Sequence, residues 1–200
     1  MQLFYAPGSP FVRKVLACAI SREIEGQITL VPTNLRDAPS EFLAANPLGK
    51  IPCLLTVDGV AMFDSPVICE YLDSIDGAIQ LFPRAGRPRW RALKQQAIGD
   101  GIMDAAVMMR AEQARPADAA HDAVLARQQA AIDRTLAQLE RDVPHQTLDI
   151  GSISIACALG YLDFRFADTP WRPAHPQLAA WFATFGDNPG LARTVPRDAG

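Results

Sequence analysis

The chain is poor in cysteine and has no closely spaced pair. Cys18, Cys53, Cys69 and Cys157 are the only four in 200 residues, and no C-x-x-C occurs. That excludes a dithiol redox motif and argues against a disulfide framework or a cysteine zinc site. Each lies among apolar neighbours and reads as a small buried residue. Histidine is equally sparse: His121, His145 and His175 are scattered, so no metal centre is expected. An excess of one charge is also lacking. Nineteen Lys and Arg face 22 Asp and Glu, a formal net charge of −3, which leaves no positive field to hold nucleic acid or an anionic membrane. No run approaches the roughly 18 uninterrupted apolar residues of a membrane span, and no basic stretch with an apolar sequel opens the chain. A cytoplasmic protein is expected.

What is present is ample apolar material, 49% of the residues, enough for one sizeable domain or two small ones. Residues 2–5, "QLFY", read as a strand, and Phe11, Val12, Val15, Leu16, Ala19 and Ile20 then repeat at helical spacing. "QITLV" at 27–31 reads as a second strand, "PCLLTV" at 52–57 as a third and "VAMF" at 60–63 as a fourth, the last two joined by the turn Asp58–Gly59. A helix follows from Ser65, with Val67, Ile68, Tyr71, Leu72 and Ile75 on one face. The order is βαβ, an irregular stretch, then ββα.

Gly77, Pro83, Gly86 and Pro88 punctuate residues 76–88, where periodicity stops. The expected division is a domain over 1–77, a linker over 78–87 and an all-helical domain over 88–200. In the latter, Trp90, Leu93, Ala97, Ile98, Ile102 and Val107 form one stripe, and Val124, Ala131, Leu136 and Leu139 belong to a second helix. Helices over 152–167 and 176–186 complete the count. Asp149 is the expected cap of the first of these, whose nearly all-round apolar surface suits the centre of a bundle.

Three local patterns carry chemistry. In "YAPGSPFVRK", 5–14, Ser9 precedes Pro10 at a helix start: the hydroxyl can cap a free backbone N–H, and the same geometry puts it at the positive end of a helix, where a thiolate or carboxylate is stabilised. In "NPLGKIPCL", 46–54, Pro52 stands where a strand begins; a cis Ile51–Pro52 bond would turn the backbone of Ile51 toward a ligand. In "FDSPVICEYL", 63–72, Asp64 precedes Ser65, read as the helix cap, and an acid beside a helix N-terminus suits the ammonium and carboxylate of an α-amino acid.

Together the S-P-F helix start, the N-P-L-G-K-I-P segment, the D-S-P start and the helical second half resemble the cytosolic glutathione transferases over essentially the whole chain. The S-P-F form resembles the serine-type tau branch and its omega relatives, and "DGIMDA" and "IACALGYLDFR" resemble bacterial YibF-type members. The resemblance implies an α/β plus all-α fold: a thioredoxin-like domain that holds glutathione, and a helical bundle that supplies a wall for an apolar second substrate. It places Ser9 on the residue that hydrogen-bonds the glutathione sulfur, Ile51 before Pro52 on the backbone partner of the cysteinyl part, Asp64 and Ser65 on the γ-glutamyl contacts, and Lys50 on the glycyl carboxylate. Phe11 is placed beside the ligand. It further implies glutathione as co-substrate, no metal, a small hydrophobic electrophile and a homodimer.

The implied chemistry is thiolate generation, with Ser9 and the first helix favouring ionisation of a thiol whose free pKa is about 8.5. Tyr5 is a rival donor. Serine in place of cysteine favours conjugation over disulfide exchange. Phe11, Met103, Val107 and Met108 are candidate lining for the second substrate, with ordinary core packing the alternative. Asp100 and Asp104, four apart on one helix, read as surface or interface charges, and Arg84, Arg87, Arg89 and Arg91 as a solvated face. A non-catalytic glutathione- or protein-binding module, or a glutathione-dependent isomerase or dehalogenase, are the other functions compatible with these motifs. One departure from the family is that Asp149 and Ser152 exchange the two capping groups usual at that helix start.

Overall fold

The computed structural model describes residues 1–75 and 80–198. The expected boundary between 77 and 78 lies outside the described residues. Two compact units are present, one comprising Met1–Ala85 with the segment from Asn188 onward, the other Gly86–Asp187. The segment that starts at Asn188 therefore groups with the first unit, where the expected division had 88–200 as one helical domain.

In the first unit the strands are β1 (Gln2–Tyr5), β2 (Thr29–Pro32), β3 (Cys53–Leu55) and β4 (Ala61–Met62), in sheet order β2-β1-β3-β4. β1 runs parallel to β2, with Leu3 opposite Leu30, and antiparallel to β3, with Phe4 opposite Cys53; β3 and β4 are antiparallel, with Leu54 opposite Met62. All four expected strands form, β1 with the expected bounds and the other three shorter. β2 starts at Thr29 because residues 25–27 close a tight 3₁₀ turn. β3 starts after Pro52, which has no N–H to give the ladder. The hairpin turns at Asp58–Gly59 as expected: Gly59 takes φ +80°, and Thr56 N–H donates to Val60 O at 2.9 Å.

Helices α1 (Pro10–Ser21), α2 (Ser40–Ala45) and α3 (Ser65–Ser74) belong to the same unit. α2 falls in the stretch read as irregular. It is anchored by Phe42, fully buried against Phe4 with ring centroids 5.4 Å apart. Burying such a side chain is worth about 1.5–3 kcal/mol. On α3 the buried face is Ser65, Ile68, Cys69 and Leu72, while Val67 is exposed, so the stripe lies one step further round than its apolar residues alone indicate. Arg22, buried just beyond α1, pairs through Nε with Asp73 Oδ1 at 3.3 Å, and the Asp73 carboxylate accepts from the N–H groups of Leu81 and Phe82 at 2.8 and 2.9 Å.

The second unit holds α4 (Gly86–Glu112), α5 (Ala119–Arg141), α6 (Ile150–Arg165) and α7 (Pro176–Phe185). The expected α4 stripe is corrected: of its six residues only Ile102 is buried, and Trp90 is 68% exposed. The buried face runs through Ala92, Gln96, Gly99, Met103 and Ala106. Small residues win here because α6 comes so close; a Cβ on Gly99 would stand 2.5 Å from the Ser154 carbonyl carbon. Asp149 caps α6, accepting from Ser152 N–H at 2.9 Å. The reciprocal bond of a capping box is replaced, since Ser152 Oγ donates to the His145 carbonyl at 3.5 Å. Arg91 reaches Asp149 at 3.8 Å and so is not merely a solvated charge. A last short helix, α8 (Pro189–Ala192), returns to α1 in the first unit.

Candidate functional site at one end of the sheet

Strand register determines which loops meet. With Phe4 opposite Cys53 and Leu54 opposite Met62 in antiparallel pairs, the end of β1, the start of β3 and the end of β4 all fall at one end of the sheet. Ser9, Ile51–Pro52 and Asp64–Ser65, distant in sequence, emerge there together. α1 and α3 both begin there, so two helix N-termini, each with free N–H groups and a partial positive charge, share that end.

Ser9 is set by a four-residue turn in which its N–H donates to Ala6 O at 3.1 Å across Pro7–Gly8. It is extended, with φ −82° and ψ 123°, and Pro10 occupies the first helical position. Its Oγ accepts from Val12 N–H at 3.3 Å. The cap is therefore real, but a hydroxyl that accepts still has its own proton to donate. Phe11 follows, half-buried in the first turn of α1, and Tyr5, the last residue of β1, is half-buried too.

The segment before β3 is held by Asn46, a residue sequence reasoning passed over. It is 1% exposed and ends α2. Its Oδ1 accepts from Leu48 N–H at 3.1 Å, its Nδ2 donates to Lys50 O at 2.7 Å, and its backbone carbonyl accepts from Gly49 N–H at 2.9 Å, with Gly49 at φ +61°. The readable signal was the N-P-x-G string, because Asn side chains commonly bond the backbone two residues on. This clamp leaves the Lys50 side chain exposed. The Ile51–Pro52 bond is cis, as expected.

Asp64, after a cis peptide with Phe63, is the cap residue of α3, and Ser65 is its first helical residue, which corrects the reading of Ser65 as the cap. The Asp64 carbonyl accepts from Ile68 N–H at 3.0 Å, yet its exposed carboxylate makes no capping bond. That carboxylate is thus available for a cation. Ser65 is 2% exposed. Cys53, next to Pro52, is fully buried, and burial pushes its thiol pKa up, so it stays protonated at neutral pH.

Of the candidate lining residues in the helical unit, Met103 is fully buried core, whereas Val107 and Met108 are exposed. Among the described residues no group of three or more His, Cys, Asp or Glu could hold a metal ion, and no helix is long and apolar enough to cross a membrane.

Family models agree with this arrangement: "Glutathione S-transferase, N-terminal domain" matches residues 8–75 and "Glutathione S-transferase, C-terminal domain" residues 122–184. The uncharacterized GST-like protein YibF of Escherichia coli (strain K12) is 36% identical over 205 residues, covering 100% of both chains. A glutathione transferase family member from Pseudomonas fluorescens Pf-5, crystallised with bound glutathione, superposes with a TM-score of 0.91 at 42% identity over 98% of each chain. A second crystal structure from that organism, with bound S-(propanoic acid)-glutathione, gives 0.87 at 42% identity, covering 98% of this chain and 100% of that one. The chain belongs to the glutathione S-transferase family.

Proposed function

We propose that this protein is an active glutathione transferase that holds the glutathione sulfur as thiolate with Ser9, for attack on a small hydrophobic electrophile. The observation that carries this reading is the state of the Ser9 hydroxyl. It accepts from Val12 N–H at the positive end of α1, which leaves its own proton available to donate to a ligand there. Ser9 donates that proton in a hydrogen bond without losing it; the thiol proton leaves to solvent, and the thiolate forms a carbon–sulfur bond as the electrophile expels its leaving group or takes up a proton. The backbone of Ile51, set by Pro52, pairs with the cysteinyl part. The uncapped carboxylate of Asp64 takes the γ-glutamyl ammonium, Ser65 and the α3 N-terminus its carboxylate, and exposed Lys50 the glycyl carboxylate. Phe11 packs beside the ligand. Relatives crystallised with glutathione and with an S-substituted glutathione support both the ligand and room at its sulfur. We assign the protein to the cytoplasm and to the serine-type branch, as a homodimer.

The test is retention on immobilised glutathione, followed by turnover against a panel of aryl halides, enones and acrylates. Retention with glutathione-dependent consumption of at least one electrophile is expected. Failure to bind glutathione overturns the reading; binding without turnover across the panel overturns the enzyme and leaves a binding module.

A further inference from the structure

A groove of about 300 Å³ lies wholly within the sheet unit, between α1, the strands β1 and β2, and the segment that follows α8. Leu16, Leu30 and Val195 give it apolar walls, and Arg13, Arg193 and Arg197 bring three guanidinium groups to it; no Asp or Glu is among its lining residues.

The three arginines are unequally satisfied. Arg193 pairs with Glu25 at 2.9 Å. Arg197 is exposed at the groove. Arg13 is 6% exposed; its Nη2 donates to the Leu191 carbonyl at 3.2 Å, while Nε and Nη1 are buried with no acceptor among the described residues. A neutral carbonyl does not balance a guanidinium, and a desolvated cation without a counter-charge is unfavourable. An anion in the groove lowers that cost, and a carboxylate matches the planar fork of an arginine better than a spherical ion does. The apolar walls call for the rest of the ligand: Leu30 is 42% exposed and Val195 65%, surface that water covers poorly. The volume is at the lower end of the roughly 300–1,000 Å³ of small-molecule sites, so the body is a medium-length chain or a single ring.

From this geometry we infer a binding site for a small amphipathic carboxylate, its apolar body on Leu16, Leu30 and Val195 and its charge among Arg13, Arg193 and Arg197. Tyr5 and Pro7, near Ser9 at the sheet end described above, also line the groove, but the contacts proposed for the carboxylate and its apolar body use none of the residues assigned to glutathione, and the titration below, run without glutathione, is read apart from that assignment.

Calorimetric titration of the full chain with octanoate and with 1-octanol tests it. Octanoate is expected to bind about tenfold more tightly than the alcohol, the worth of one hydrogen bond to a charged group. Arg197→Gln, a surface change that keeps the fold, should bring the two within about threefold, while Arg36→Gln, which removes the same charge elsewhere, leaves the preference intact. Leu30→Ser should weaken both ligands. Equal affinity for acid and alcohol in the wild type overturns the inference. So does an octanoate preference that survives Arg197→Gln or is lost equally in Arg36→Gln.

Discussion

If Ser9 only capped α1, replacing it would be felt in stability alone. The capping bond, 3.3 Å from Oγ to Val12 N, is long, so Ser9→Ala should cost about 1 kcal/mol and Ser9→Gly only a few tenths. If the hydroxyl also donates to a bound thiolate, both variants lose one hydrogen bond to a charged group, about 1.5–3 kcal/mol, or roughly one to two pKa units. The sign follows from the ionised form being the one stabilised: the bound thiol pKa is depressed in the wild type and rises in the variants. Starting from about 8.5, a free thiol is roughly 3% ionised at pH 7, and a depression of two units makes it roughly three-quarters ionised. The variants should therefore lose rate at neutral pH and regain it as pH rises. The helix N-terminus survives both substitutions, so part of the depression persists. Ultraviolet absorbance of the bound thiolate against pH, for wild type, Ser9→Ala, Ser9→Gly and Tyr5→Phe, reads this directly. An unchanged titration in both Ser9 variants refutes the donor role, and a shift confined to Tyr5→Phe transfers it to Tyr5.

Other outcomes are equally open to measurement. Asn46→Asp sets a carboxylate oxygen against the Lys50 carbonyl, where an N–H stood at 2.7 Å. Glutathione affinity should fall about tenfold by calorimetry, from one inverted buried hydrogen bond, with the bound thiol pKa unmoved; unchanged affinity would show that the clamp does not position the site. Asp73→Ala removes the carboxylate partner of the buried Arg22 guanidinium, which keeps its bond to the Ile75 carbonyl, and the acceptor of two backbone N–H groups, and should cost about 3–5 kcal/mol in denaturant unfolding, whereas a loss below about 1 kcal/mol would mean that this pair is not a buried tie. All four cysteines are buried and the Cys53 thiol is held protonated, so disulfide reagents should label the native protein at neutral pH only as fast as it unfolds; a rapid stoichiometric reaction contradicts that. Light scattering at micromolar concentration should give a dimer, and a 21.7 kDa species would defeat the assembly proposed.

Much of the fold was legible because the signals were local. The hairpin announced itself by Asp58–Gly59, and α6 by a cap and an all-round apolar surface. Apolar periodicity failed where neighbours decide burial: Trp90 fits a stripe yet faces solvent, and the face that packs holds Gly99 and Ala106, residues a hydrophobicity pattern undercounts. Helix α2 is only six residues, too short to show a period, and it forms because Phe42 finds Phe4 across the chain. At the site, motif order pointed to Ser9, Ile51 and Asp64, but that they share one end follows from strand register, which single-strand patterns do not encode. Asn46 was hidden because its importance lies in where its side chain points.

Helix α8 sits on α1 closely enough that a Cβ on Gly190 would lie 2.5 Å from the Ala17 carbonyl oxygen, and Leu191 supplies the acceptor for Arg13. Helix α1 thus takes its seat against residues that are synthesised only after the whole helical unit. During synthesis the sheet unit stays unfinished until the whole helical unit has been made, and a fragment cut at residue 85 leaves the Arg13 guanidinium without the Leu191 carbonyl that accepts from it. Changes near residue 190 act, through this seat, on the unit built from Met1–Ala85.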